Sequence, residues 1–403
     1  MSLADFTFKN PVHILFGKDR VAKNLGKELK ANNATCVLLC YGKASIKKSG
    51  LYDQVIKVFK DNGIKHVECS GVRPNPELVL ARKGIQLARD NNCDFALSVG
   101  GGSIIDHTKA VCAGFYYEGD VWDIYERFMG KGKKKVSITK TLPFGTILTL
   151  AATGSEMNNG SVLSNDKTNQ KLFFNENRNY PRFSILDPTW TTTVSRWQTQ
   201  AGGYDVMMHT FEQYFSATPR FLTDRISEGL LKTMIHYIPM ALKNPDSYEA
   251  RSNIMWCSSL ALNGLLSTGK KNTDWATHWI EHEASVIKTD FSHGIGLAII
   301  SLGWMRNAAK TRPQKFCTLG QNVFGMQQNH LTANEFALEV IQTLEDFMVR
   351  NGIPVRFTQV YKDFSKENCK TIAKRIGDHY GYPIGSYVKL DEQQVTDLLI
   401  DRL

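Results

Sequence analysis

Short apolar runs alternate with amphipathic stretches along the first half of the chain. Cys36–Tyr41 is an almost continuous apolar run, the pattern of a strand covered on both faces. Leu51–Gly63 predicts a helix, Lys65–Cys69 a second strand and Glu77–Asn91 another amphipathic helix. Phe95–Val99 then runs into Gly100-Gly101-Gly102. Strands separated by helices of this length predict parallel βαβ units with right-handed crossovers. The last strand-and-turn signal is Ser184-Ile185-Leu186-Asp187-Pro188. From about Thr193 the period changes to apolar residues three and four apart, over Asp205–Phe215, Thr223–Leu242, Ala250–Leu266, Thr332–Asn351 and Glu367–Asp378. The pattern predicts a Rossmann-like parallel α/β domain over residues 1–190 and an all-α domain over residues 191–403. A cleft between them is the default ligand site.

Composition narrows the class. With 42% hydrophobic and 10% aromatic residues, the 403-residue chain is too apolar for disorder. Its longest apolar runs, Leu297–Gly303 and Phe144–Thr153, fall far short of the ~20 residues that span a bilayer, so no membrane partner is expected. The first residues lack the basic start and apolar stretch of a signal peptide. Eight scattered cysteines form no framework or C-x-x-C pair, which predicts reduced thiols in a cytoplasmic protein. The formal net charge of +10 admits nucleic acid or a small anionic ligand. The densest basic run, Lys131 to Lys135, has neither arginine nor interleaved aromatics. It is read as a solvated loop, and no nucleic-acid partner is expected.

Two features carry candidate chemistry. Gly100-Gly101-Gly102-Ser103 follows a strand and opens a helix, where free N–H groups and the positive dipole end suit a phosphate. It is neither G-x-G-x-x-G nor a P-loop. Asp106, one turn on, is either a plain helix-end charge or faces a cofactor. Thr149–Asn158, hydroxyl-rich around Gly154, is by itself an ordinary turn. The second feature is histidine spacing. Asp205 and His209 stand four apart, as do His278 and His282, so each pair shares one helix face. On one straight helix His278 and His293 would be roughly 22 Å apart. The polar stretch Lys288–Ser292 therefore predicts a break and a return, with Ser292 as N-cap of the helix carrying His293. Each histidine taken singly reads as a satisfied core residue. Two i,i+4 pairs plus a third site favour a borderline divalent ion, Fe(II) or Zn(II). Glu281 and Glu283 flank His282 without making H-E-x-x-H, which excludes the metalloprotease pattern.

These residues resemble the iron-containing (group III metal-dependent) alcohol dehydrogenase family, and within it the butanol dehydrogenase and broad aldehyde reductase branch. The likeness runs through Phe8-Lys-Asn-Pro11, Leu15-Phe-Gly-Lys18, Pro74-Asn75-Pro76, Gly100–Ser103, Thr149–Asn158, Leu186-Asp187-Pro188, Asp205–Tyr214 and Asp274–His293. The resemblance implies metal ligands at Asp205, His209, His278 and His293, a proton-relay role for His282, a dinucleotide-binding first domain and a homodimer. It further implies cofactor contacts at Gly42, Lys43, Ser45, Asn75, Gly101, Gly102, Ser103, Asp106, Thr149, Thr153, Asn158 and Lys171.

NAD-dependent relatives often carry an Asp at the turn after the strand 37–41. Here Gly42-Lys43-Ala44-Ser45-Ile46-Lys47-Lys48 has no acid and three lysines, so NADP(H) is favoured over NAD(H), with Lys43 and Ser45 near the 2′-phosphate. The expected reaction is hydride transfer between NADP(H) and short-chain aliphatic aldehydes or alcohols, such as butanal and butanol. Trp190, Trp275, Trp279 and Phe291 are candidate pocket linings, at even odds with core residues. The alternatives are an NAD-dependent polyol dehydrogenase of the glycerol type and a dehydroquinate synthase-like lyase. Only one lysine and no arginine stand in Asp274–Gly296, which ranks the lyase low. A basic nucleic-acid binder would leave the histidines unexplained.

Overall fold

The structure is a computed structural model that describes residues 4–127, 136–288 and 291–403. The basic run Lys131–Lys135 lies outside the described residues. The chain forms two compact units. One comprises Lys9–Val194 and Pro245–Ser259; the other holds the residues up to Phe8, Ser195–Asn244 and Leu260–Leu403.

In the α/β unit the order is β1 (His13–Phe16), α1 (Arg20–Ala31), β2 (Cys36–Tyr41), α2 (Ser45–Lys48), α3 (Leu51–Asp61), β3 (Lys65–Cys69), α4 (Leu78–Asp90), β4 (Phe95–Gly100), α5 (Gly102–Phe115) and α6 (Val121–Glu126). Then come β5 (Phe144–Leu148), β6 (Gly160–Asn165), β7 (Gln170–Asn175) and β8 (Phe183–Leu186). Six strands form one parallel sheet in the order β1-β8-β5-β4-β2-β3, while β6 and β7 pair as an antiparallel hairpin. Alternation with period two sorts the strand side chains. Val37, Leu39, Tyr41, Phe95, Leu97 and Val99 pack with α1 and α3 on one face. Leu38, Cys40 and Ala96 pack with α4 and α5 on the other. The chain runs outward from β2 to β3, then returns to the far side of β2 as β4. The order therefore reverses between β2 and β4, and ligands bind outside the carboxyl ends of strands at such a point.

The second unit contains α7 (Arg196–Tyr214) and α8 (Phe221–Lys243). The next helix, α9 (Tyr248–Ala261), belongs to the α/β unit up to Ser259. The helical unit resumes with α10 (Ala276–Ile287), α11 (His293–Thr311), α12 (Gln314–Leu319), α13 (Ala333–Arg350), α14 (Lys366–His379) and α15 (Glu392–Ile400). The expectation that everything after residue 190 packs as helical domain thus needs correction at 245–259. Met255 packs with Ile105, Leu148 and Leu186. Ser259 Oγ donates to the buried Glu156 Oε1 at 2.5 Å. Helical periodicity identifies a helix without saying which partner its apolar face will meet. No helix among the described residues is long and apolar enough to cross a membrane.

Candidate functional site

The three strands β5, β4 and β2 are neighbours, and each ends in a segment singled out from the sequence. Tyr41 pairs with Val99 and Gly100 with Leu148, so the three segments start at nearly one level. Gly42, Lys43 and Ser45 follow β2, with Lys43 and Ser45 exposed. Gly101, Gly102 and Ser103 follow β4; Thr149 and Thr153 follow β5. Asn75 holds a left-handed φ of 53° in the turn after β3. Lys171 is buried on β7, away from these strand ends in sequence. The glycines serve close packing as well as any phosphate: a Cβ on Gly102 would lie 2.2 Å from Thr153 Oγ1, and one on Gly100 2.6 Å from Ile104 Cδ1. Gly101 is the N-cap of α5 and has no side chain to cap it, so the first N–H groups of the helix are left without a side-chain cap.

A buried lysine that the sequence reading missed braces this edge. Lys109 Nζ donates to Ser155 Oγ at 2.8 Å, Asn158 Oδ1 at 2.8 Å and Gly160 O at 2.7 Å. Asp106 Oδ1 accepts from Ser155 Oγ at 2.6 Å and its Oδ2 from Val162 N at 3.0 Å. The polar atoms of Asp106 and Asn158 are therefore engaged in tying the hydroxyl-rich loop to α5. Burial holds the Lys109 ammonium down to about 8, against 10.5 for a free lysine, with Asp106 and Glu156 opposing. Between those values the unfolded chain binds more protons than the folded one, so this group's contribution to stability rises from about pH 8 to pH 10.5. Lys109→Met is expected to cost about 3 kcal/mol by stranding three acceptors. The deficit should widen when melting temperatures are compared at neutral and alkaline pH; a constant gap would refute this account of Lys109.

In the helical unit, α7 carries Asp205 and His209 one turn apart, α10 carries His278 and His282, and α11 begins at His293. The chain does break after Ile287 and turn back. Ser292 occupies the N-cap position, but its side chain makes no capping bond among the described residues; its backbone N–H instead donates to Tyr361 OH at 2.9 Å. A Cβ on Gly294 would lie 2.0 Å from the carbonyl oxygen of Ala201, so only glycine lets the start of α11 approach α7 this closely. That approach delivers His293. Three imidazole nitrogens converge on Asp205 Oδ1: Nε2 of His209 at 3.6 Å, of His278 at 3.9 Å and of His293 at 3.7 Å.

The other ring nitrogens explain why Nε2 faces inward. His278 Nδ1 bonds to Glu212 Oε2, and His293 Nδ1 to Glu281 Oε2 at 2.5 Å. A carboxylate on the second nitrogen fixes tautomer and ring orientation, as in carboxylate–histidine–metal triads. Burial, with the neighbouring His278 and His293 adding to it, holds the His209 imidazole well below its ordinary range and therefore neutral. Ligands about 2.1 Å from a tetrahedral ion stand roughly 3.4 Å apart, so this spacing and donor set fit one borderline divalent ion.

Glu212 was missed in the sequence, and Glu281 was weighed only against the protease pattern. The local spacing did not signal them: Glu212 is three residues after His209 and Glu281 three after His278, yet each bonds a histidine on a different helix. Of the four aromatics considered as pocket linings, Trp275 lies at the cluster, its ring centroid 5.4 Å from that of His278 and 6.4 Å from that of His209. Trp190 packs in the α/β core, Phe291 stacks on Tyr361 at 4.8 Å, and Trp279 stacks on Tyr380 at 5.4 Å.

A parallel nucleotide-type sheet in one unit and an imidazole–carboxylate cluster in the other define a class, the metal-dependent α/β dehydrogenases. Residues 11–188 match the family model of iron-containing alcohol dehydrogenases, and residues 199–403 that of the Fe-containing alcohol dehydrogenase family, C-terminal. NADH-dependent butanol dehydrogenase A of Clostridium acetobutylicum is 41% identical, over 98% of this chain and 99% of its own. NADPH-dependent aldehyde reductase YqhD of Escherichia coli is 33% identical over 93% of both chains. A crystal structure of NADH-dependent butanol dehydrogenase A from Thermotoga maritima superposes with a TM-score of 0.92 at 34% identity, covering 99% of each chain. The chain belongs to the iron-containing alcohol dehydrogenase family, in its butanol dehydrogenase branch, and is an oxidoreductase.

Proposed function

We propose that this protein interconverts short-chain aliphatic aldehydes and alcohols, such as butanal and butanol, with NADP(H) favoured over NAD(H). In this reading Asp205, His209, His278 and His293 hold one divalent ion, Fe(II) or Zn(II), and the enzyme works as a homodimer. The observation that carries the reading is the convergence of three Nε2 atoms on one carboxylate oxygen, two of those rings being locked from behind by Glu212 and Glu281.

When bound, the nicotinamide supplies hydride and the ion supplies electrophilic pull on the carbonyl oxygen. The chain's own groups do the rest. The uncapped N–H groups at Gly101–Ser103 would hold the pyrophosphate, with Gly42, Asn75, Thr149 and Thr153 as its further contacts. Asp106, Asn158 and Lys109 hold the loop that carries these threonines. His282, one turn beyond His278, has its ring centroid 6.4 Å from that of His278 and 6.0 Å from that of His293. From there an imidazole nitrogen holds the proton and passes it to the product's oxygen.

The names of the relatives divide between NADH and NADPH, so the cofactor preference rests on this chain's own turn after β2. Glu68, on the neighbouring strand, spends its carboxylate on the hydroxyls of Tyr41 and Tyr52. That leaves Lys43, with Lys47 and Lys48 in the short helix after it, as the exposed charges of the turn. Oxidation of NADPH and NADH followed in parallel with butanal, on metal-reconstituted protein, tests both substrate and cofactor. Lys43→Asp is expected to weaken NADPH by about 2 kcal/mol, roughly 30-fold in kcat/KM, and to spare NADH. A wild-type enzyme that prefers NADH would sink the Lys43 argument and leave the dehydrogenase standing. No turnover with either cofactor would sink the substrate assignment.

A further inference from the structure

We infer that Cys40, Cys69 and His107 form a second metal site, in the α/β unit, that takes a thiophilic ion, zinc(II) or copper(I). Cys40 on β2 and Cys69 on β3 are direct register partners, and His107 reaches them from α5. Cys69 Sγ lies 3.4 Å from His107 Nε2, and one donor atom from each of the three residues falls within 4.8 Å of the others. Sulfur and nitrogen bound to one tetrahedral zinc stand roughly 3.6 Å apart, so little movement is needed. All three side chains are buried, at 0%, 4% and 0% exposure.

Two observations set this cluster apart from ordinary core packing. His107 Nδ1 is buried with no hydrogen-bond partner among the described residues, so the ring's polar contact is the one Nε2 makes with Cys69. A buried histidine is a costly core filler, and the one nitrogen it engages is the one that faces Cys69. The helix α4 also passes the cluster at Gly84. A Cβ there would lie 2.8 Å from Val111 Cγ2, 3.3 Å from Cys69 Sγ and 3.5 Å from His107 Nε2, so the glycine lets α4 pack closely against α5 and against both donors. With all three side chains buried, the ion would enter as the chain folds. It would tie β2, β3 and α5 together directly behind Gly42–Ser45 and Gly101–Ser103.

The test is full-length protein produced in cobalt-supplemented minimal medium. A thiolate-to-cobalt charge-transfer band in the near ultraviolet is expected, which the sulfur-free set at Asp205 cannot produce, together with two metal ions per chain by elemental analysis. His278→Ala should lose one ion and keep the band. Cys69→Ala should lose the other ion and the band, with an intact circular dichroism spectrum. Should Cys69→Ala fail to fold, X-ray absorption on the wild-type protein decides, with sulfur expected in the cobalt coordination shell. A wild-type protein with one ion and no band overturns the inference, as does a band that persists unchanged in folded Cys69→Ala.

Discussion

Replacing His278 with alanine is expected to lower kcat/KM for butanal by at least about a thousandfold. A Lewis-acidic ion contributes several kcal/mol of charge stabilisation at a carbonyl oxygen, and each 1.36 kcal/mol is tenfold in rate. His278 supplies one of three nitrogens around Asp205 Oδ1 and also neutralises the hydrogen-bonding demand of the buried Glu212. Its loss should empty the site and cost about 2 kcal/mol of stability through the stranded carboxylate. Bound metal by elemental analysis, initial rates and a melting curve read the three effects separately. A variant that keeps its full metal content and activity within tenfold of the parent would show that His278 is not a ligand. The same experiment on Asp205→Asn should lose metal with little change in volume.

The second expectation concerns carboxylates that touch no substrate. Glu281→Ala or Glu212→Ala should weaken metal affinity by about 10- to 100-fold, measured by competition with a chromophoric chelator. Each removes the group that fixes a ring's tautomer, so Nε2 no longer presents its lone pair at no entropic cost. Glu281→Gln should recover much of the loss, because an amide oxygen still accepts from His293 Nδ1. Equal damage from the alanine and glutamine variants would mean that charge rather than orientation is what Glu281 supplies. Losses in a double Glu212/Glu281 variant should fall short of the sum, since both rings serve one ion. Acidification should weaken binding further as the imidazoles take up protons, which burial opposes at His209.

Much of this could be anticipated from local pattern. The run Cys36–Tyr41 became β2 with the same bounds, because a strand covered on both faces needs an apolar run and little else; Lys65–Cys69 became β3, a partly exposed strand at the sheet edge. β1 is a four-residue edge strand whose pairing with β8 comes from residues about 170 positions away. Nothing in His13–Phe16 itself announces that. The hairpin β6–β7 was likewise unread, since it mixes small, polar and apolar residues.

By itself, the sequence determined the alternation of strands and helices, the glycine turn after β4, and the two i,i+4 pairs on α7 and α10. Each of these depends on periodicity or on residues a few positions apart. The tertiary structure alone decided that His293 closes the cluster, through an approach of α11 to α7 that Gly294 permits. It alone placed Glu212 behind His278 across 66 positions and Ser259 on Glu156 across 103. It alone set Lys109 under the loop after β5. These are contacts between distant segments, and they are chosen by how whole faces pack, which no local period records.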